Sequence, residues 1–188
     1  LNAEVASTAL MLMLACYRNL LADDAYVRSG DWETGGNAPL SRSADNQVVG
    51  IVGLGRIGQA IADKLAPFNA TILYHARSQK MVPYQYCESL LDMARASDVL
   101  ICITPGGEAT NKLINAEVIN ALGPKGTLIN VSRGSVVDET AMIAALQEGR
   151  LGWAGLDVFE REPKVPVALR QMANVVLLPH VGSATHET

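Results

Sequence analysis

The 188-residue sequence has no basic excess, no paired cysteine spacing and no long apolar run, and each lack removes a class of function. Acidic residues outnumber basic ones, 19 to 15, for a net charge of −4 and a pI near 5.3. A surface for nucleic acid or anionic membrane calls for the opposite balance. The three cysteines, Cys16, Cys87 and Cys102, are scattered with no CxxC. They read as small core residues in a reducing compartment, the cytoplasm, and no metal site is expected. No apolar run approaches the ~20 residues needed to cross a bilayer. LNAEVASTALMLMLACYRNL (1–20) has the apolar look of a secretion signal. It lacks a basic leader, however, carries Glu4, and continues helically into Arg18. The chain begins with Leu and stops at VGSATHET, a helix-start composition with no helix following, so a segment of a longer protein is expected. There are no internal repeats and no low-complexity tracts.

What is present is apolar and regular. Half the residues are hydrophobic and 18% charged, enough for a well-buried core. Residues 1–22 read as a helix at a core or an interface, and 23–47, rich in Gly, Ser, Asn and Asp, as a loop. From there strands and helices alternate. Strands are expected at 48–54, 71–75, 99–104, 127–132, 153–159 and 175–179. Helices are expected at 56–67, 88–96, 115–122 (capped by Asn115, stopped at Gly123) and 138–149 (capped by Asp138). Near-continuous apolar strands separated by helices imply an α/β fold, a doubly wound parallel sheet covered on both faces.

The stretch GIVGLGRIGQAIADKL (50–65) joins a strand pattern to a helix pattern through Gly53, Gly55 and Gly58. GxGxxG alone is weak, since many βα turns are glycine-rich without holding a ligand. Here a strand precedes it, a helix follows, and a second strand comes about twenty residues later. Gly53 then makes the tight turn, Gly55 admits a pyrophosphate to the backbone, and Gly58 lets the helix approach the strand. The helix N-terminus supplies free N–H groups and a favourable dipole.

A further lack decides which dinucleotide is expected. NAD binders place an acidic residue after the second strand to hold the ribose 2′-hydroxyl. Between Asp63 and Glu88 there is none, and His75, Arg77, Ser78 and Lys80 occupy the region. A guanidinium pairs bidentately with a 2′-phosphate, so NADP(H) is preferred, with NAD(H) as the second possibility. The competing explanation is a merely solvated basic loop.

Three more segments deliver reactive groups to strand ends: Arg133 in INVSRGSVVDE (129–139), the acids Asp157, Glu160 and Glu162 in GLDVFEREP (155–163), and His180 in LPHVGSAT (178–185). Taken singly, a strand-end His or Arg is more often a structural hydrogen bonder. Together, on the sheet edge where open α/β folds bind ligands, they suggest carbonyl redox chemistry. Arg can grip a carboxylate, and His can exchange the hydroxyl proton with an acid behind it.

These segments, in this order and spacing, resemble the D-2-hydroxyacid dehydrogenase family, which includes glyoxylate and hydroxypyruvate reductases. The resemblance implies a Rossmann-type dinucleotide-binding domain over 48–182, with 1–22 as an interdomain or dimer-interface helix. Residues 183–188 would begin the return to a substrate domain that is absent from this chain. It further implies that Arg133 binds substrate, His180 is the acid/base and Glu162 its carboxylate partner. Asp157 would contact the nicotinamide carboxamide. Arg56 and Ile57 would contact the pyrophosphate, and Thr104, Pro105 and Thr110 would line the cofactor cleft. Ala76, Val131, Ser132 and Gly182 complete the implied cofactor set. Members that use NADPH tend to carry the Arg-Ser pair seen at 77–78. Thr104-Pro105 replaces the family's usual Cys-Pro and leans towards the hydroxypyruvate and aromatic keto acid reductases. The implied partners are a small 2-keto or 2-hydroxy acid and a second copy of the chain. The alternative from another class is a non-catalytic NAD(P)-sensing regulator of the same fold.

Overall fold

In the computed structural model all residues, Leu1–Thr188, are described. Seven strands form one sheet: β1 (Val48–Val52), β2 (Thr71–His75), β3 (Gln85–Tyr86), β4 (Val99–Cys102), β5 (Thr127–Asn130), β6 (Trp153–Leu156) and β7 (Val175–Leu177). Their order is β3-β2-β1-β4-β5-β6-β7, and every pairing is parallel. Order reverses between β1 and β4, and the crevice beyond their carboxyl ends is where such a sheet accepts ligands.

The side-chain alternation of the strands builds two cores. Val49, Ile51, Ile72, Tyr74, Val99, Ile101 and Ile129 pack with α1 (Asn2–Tyr17) and α4 (Arg56–Leu65) on one face. Val52, Leu73, Leu100, Leu128, Ala154 and Leu156 pack with α5 (Leu90–Ala96), α6 (Ala116–Leu122) and α7 (Glu139–Gln147) on the other. Each such buried aliphatic side chain contributes about 1.5–3 kcal/mol. The sheet is therefore doubly wound, as expected. Caps set the helix starts: Ser89, Asn115 and Asp138 accept the N–H groups of Asp92, Val118 and Ala141.

Four expectations are corrected. The first helix does not run through residue 22: Asn19 adopts a left-handed conformation (φ 53°) and splits off α2 (Leu20–Arg28) at an angle of 64°. The supposed loop from 23 to 47 thus begins with helix and contains another turn, α3 (Trp32–Gly35). Neither α2 nor α3 buries a residue, so there was no apolar face to betray them. Its later part is tied down by Arg42, whose guanidinium lies 3.9 Å from the Tyr17 ring centre and 3.2 Å from that of Trp153. The two-residue β3 and the single turn α8 (Val167–Arg170) are too short for any periodicity to show. Most strands end two or three residues early, because the residues beyond turn away to build the site. No single helix is long and apolar enough to cross a membrane.

Candidate active site

Gly53 has a positive φ of 96°, and a Cβ there would lie 2.9 Å from the Cα of Thr104. A Cβ on Gly58 would lie 2.6 Å from the Gly53 carbonyl oxygen, so α4 sits directly on the turn. Gly55 differs from both, since a Cβ there meets nothing within 4 Å. Open space beside a bare backbone, at the head of a ten-residue helix, fits a pyrophosphate. Hydrogen bonds from Gly53 N to His75 O (2.8 Å) and from Ile103 N to Val52 O (3.0 Å) fix the strand end. Ile57, Thr104, Pro105, Val131, Ser132, Asp157 and Gly182 line one cleft of about 430 Å³ together with Arg133 and His180. Gly55 and Arg56 are exposed at the head of α4, while Arg77 and Ser78 lie exposed beyond β2, next to half-buried Ala76. Thr110 is separate: its hydroxyl donates to Pro105 O at 2.6 Å.

Arg133, Glu162 and His180 line a neighbouring cavity of about 750 Å³. Arg133 and His180 also face the first cleft, so the two spaces share a wall. His180 holds a left-handed backbone, φ 54°, uncommon for a residue with a Cβ. Its Nδ1 lies 2.6 Å from Glu162 Oε1, and Glu162 Oε2 accepts the Phe159 N–H at 2.9 Å. Burial pushes the Glu162 carboxyl up. The Phe159 N–H, the His180 hydrogen bond and the charges of His180 and Arg133 outweigh it, leaving the group below its ordinary value of 4.5. Glu162 is thus ionised near neutral pH. It orients Nδ1 inward and leaves Nε2 as the free nitrogen of the ring.

Residues 10–182 match the family described as D-isomer specific 2-hydroxyacid dehydrogenase, NAD binding domain. The chain belongs to this family. It is 50% identical to hydroxyphenylpyruvate reductase of Plectranthus scutellarioides, over all of this chain and 60% of that protein. It is 49% identical to glyoxylate/hydroxypyruvate reductase A HPR2 of Arabidopsis thaliana, with the same shares. The NADPH-dependent glyoxylate/hydroxypyruvate reductase of Sinorhizobium meliloti, solved with NADP and malonate, superposes with a TM-score of 0.96 at 50% identity. That match covers 99% of this chain and 59% of the other. The chain spans about 60% of the length of the relatives it matches.

Within this dehydrogenase domain the structure adds two residues that sequence reasoning had passed over, Asn130 and Gly106, and a structural role for Asp157. Asn130, buried at the end of β5, accepts from Ser132 N (3.1 Å) and Ser132 Oγ (2.8 Å) and donates to Arg133 O (3.1 Å). It shapes the turn that delivers Arg133. A polar residue closing the apolar strand TLIN was the available signal. Gly106 packs against the Arg133 stem, where a Cβ would lie 3.0 Å from Cγ. Asp157, only 2% exposed, accepts the N–H groups of Val181 and Gly182, both at 2.8 Å. Its carboxylate therefore straps down the segment that carries His180.

The Glu162–His180 pair makes stability depend on pH. A carboxyl whose folded pKa lies below its unfolded one stabilises the fold above the unfolded value, and this is lost as pH falls through the folded one. A difference in Tm between wild type and Glu162→Gln is therefore expected near neutral pH and should fade as pH falls through and below the ordinary carboxylate range. Thermal melts across this range check it, and a constant difference would contradict the assigned pair.

Proposed function

We propose that the chain is the cofactor-binding part of an NADP(H)-preferring reductase of small 2-keto acids such as glyoxylate or hydroxypyruvate, with NAD(H) as the weaker cofactor. One observation carries this reading: the Glu162-held His180 faces the same cavity as Arg133, beside the glycine turn. When bound, the nicotinamide cofactor supplies a hydride for the keto carbon. Arg133 binds the substrate carboxylate, which a guanidinium can grip through two parallel hydrogen bonds. His180 gives its Nε2 proton to the carbonyl oxygen as that oxygen gains charge, and returns to neutral imidazole. Glu162 stabilises the protonated ring and fixes its tautomer through Nδ1. Asp157 keeps His180 in place through the two backbone N–H groups that follow it. A regulator that merely senses the nucleotide has no need for this trio, which favours the enzyme.

Arg77 and Ser78 are proposed to hold the 2′-phosphate, supported by the lack of any acid between Asp63 and Glu88 and by the NADP in the Sinorhizobium relative. Arg56 and Ile57 serve the pyrophosphate. The exposed Met11, Leu20, Leu21 and Val27 on α1 and α2 support a homodimer as the working form. The three free cysteines support the cytoplasm as its compartment.

The test is NADPH and NADH oxidation by the intact protein against glyoxylate, hydroxypyruvate and aromatic keto acids. Wild type should prefer NADPH, and Arg77→Asp should lower kcat/KM for NADPH by roughly 10–100-fold while sparing NADH. No oxidation across the panel would overturn the enzyme, and a ratio unmoved by Arg77→Asp would overturn the cofactor preference.

A further inference from the structure

The segment that carries Arg77 and Ser78 is exposed, and two tyrosines tie it at both ends. β2 ends at His75 and the chain returns in β3, with Tyr86 in register opposite Tyr74. Their rings lie 5.4 Å apart at 49°. Tyr74 is fully buried, and its Oη accepts the Lys80 N–H at 2.8 Å and donates to Lys80 O, 3.2 Å away. Tyr86 Oη donates to Ala76 O at 3.3 Å. One hydroxyl thus holds the segment just before Arg77 and the other just after Gln79.

A buried tyrosine hydroxyl generally finds some partner, so Tyr74 alone would be unremarked. Tyr86 is different because it is only half-buried, and its hydroxyl could be satisfied by water. Strand pairing needs only its backbone and core packing only its ring. The third tyrosine nearby, Tyr84, bonds instead to Asp63 of α4 (3.1 Å). Both hydroxyls of the stacked pair converge on the five residues Ala76–Lys80, at opposite ends. Long, exposed side chains lose conformational freedom on gripping a ligand, and a loop already fixed at both necks leaves less to lose.

We propose that Tyr74 and Tyr86 are positioning residues for cofactor choice: their hydroxyls pre-order the 76–80 segment so that Arg77 and Ser78 meet an adenosine 2′-phosphate in place. This rests on the NADP(H) preference proposed above. Their hydroxyls bond to the backbone of Lys80 and Ala76 and not to Arg77 or Ser78, so their effect is confined to ligands that carry the 2′-phosphate.

The experiment is calorimetric titration of the intact protein with adenosine 2′,5′-bisphosphate and with AMP, on wild type, Tyr74→Phe, Tyr86→Phe and Arg77→Asp. Each Phe variant should bind the bisphosphate about 3–10-fold more weakly, the loss typical of one hydrogen bond, with AMP within about twofold of wild type. In the Arg77→Asp background the Tyr86→Phe change should have no further effect, since the ordered group is gone. Amide exchange at Lys80 should quicken in Tyr74→Phe. If Tyr74→Phe folds poorly, Tyr86→Phe decides alone. Equal weakening of both nucleotides, or of neither, would overturn the proposal while the Arg77→Asp loss upholds the NADP(H) preference. A wild type that binds the bisphosphate no tighter than AMP would overturn both.

Discussion

Replacing His180 with asparagine is expected to lower kcat for keto acid reduction by roughly 10²–10⁴-fold, the usual contribution of a positioned general acid. The loss should be this large because no neighbour can take over. Glu162, the nearest titratable group, is held below its ordinary value and is ionised when the enzyme works, so it has no proton to give. A guanidinium offers hydrogen bonds but is no proton donor to a carbonyl, so Arg133 cannot substitute. Asparagine is the informative replacement because it tolerates the left-handed backbone (φ 54°) found at this position. Its amide can still donate to Glu162, so the loop should stay in place and Tm should hardly move. NADPH affinity, assigned above to the glycine turn and the 76–80 segment by proposal, should stay within about threefold. Stopped-flow reduction with nucleotide titration separates the effects, and a kcat within about threefold of wild type would remove His180 from the chemistry.

The sheet was legible because its strands are buried on both faces and its helices begin at side-chain caps. VVGIV, TILYH, VLIC and TLIN are apolar runs with no alternative use, and Asn115 and Asp138 cap where their sequence positions indicated. What escaped was structure without an apolar signature. α2 buries nothing and holds itself partly by the Arg28–Asp24 pair at 2.7 Å, while β3 gains its two-residue identity only by lying against β2. Strand ends were overextended for a related reason. Val131 and Asp157 still donate one N–H each to the neighbouring strand, to Cys102 O and Asn130 O, but the equally apolar or buried chain beyond them leaves the ladder to carry Arg133 and Glu162.

The site divides in the same manner. Gly53, Gly55 and Gly58 were readable because a turn geometry needs those residues at that spacing, and the structure gives each a distinct steric reason. Arg133, Glu162 and His180 were readable only as residues at separate strand ends. Their convergence is a property of sheet order, which places β5, β6 and β7 side by side. Of the supports, Asp157 and Gly134 act on backbone distant in sequence, which no local pattern encodes, whereas Asn130 acts on the two or three residues that follow it, where the polar end of TLIN marks it.

Gly134→Ala is expected to be the most damaging small change in the domain. A Cβ at 134 would lie 2.0 Å from both the carbonyl carbon and oxygen of Phe159, and 2.5 Å from Glu160 N. These are backbone atoms, so no rotamer change relieves the clash; the loop must move. That loop anchors the Glu162–His180 pair, since Phe159 N donates to Glu162 Oε2 and Glu160 N to Glu139 Oε2. Displacing it costs about 1–3 kcal/mol of packing strain, a fall in Tm of roughly 2–12 °C. It should also draw Glu162 away from His180 and lower kcat at least ~10-fold, because the imidazolium loses its partner. Two comparisons distinguish this route from general damage. Gly149→Ala, at φ 73° with open space around it, should cost about 1 kcal/mol of stability and leave kcat alone. In a Glu162→Gln background, Gly134→Ala should still lower Tm but add little to the loss of kcat, since the contact it disrupts is already broken. If the two kcat losses simply multiplied, Gly134 would act on the chemistry by some path other than the 159–162 loop.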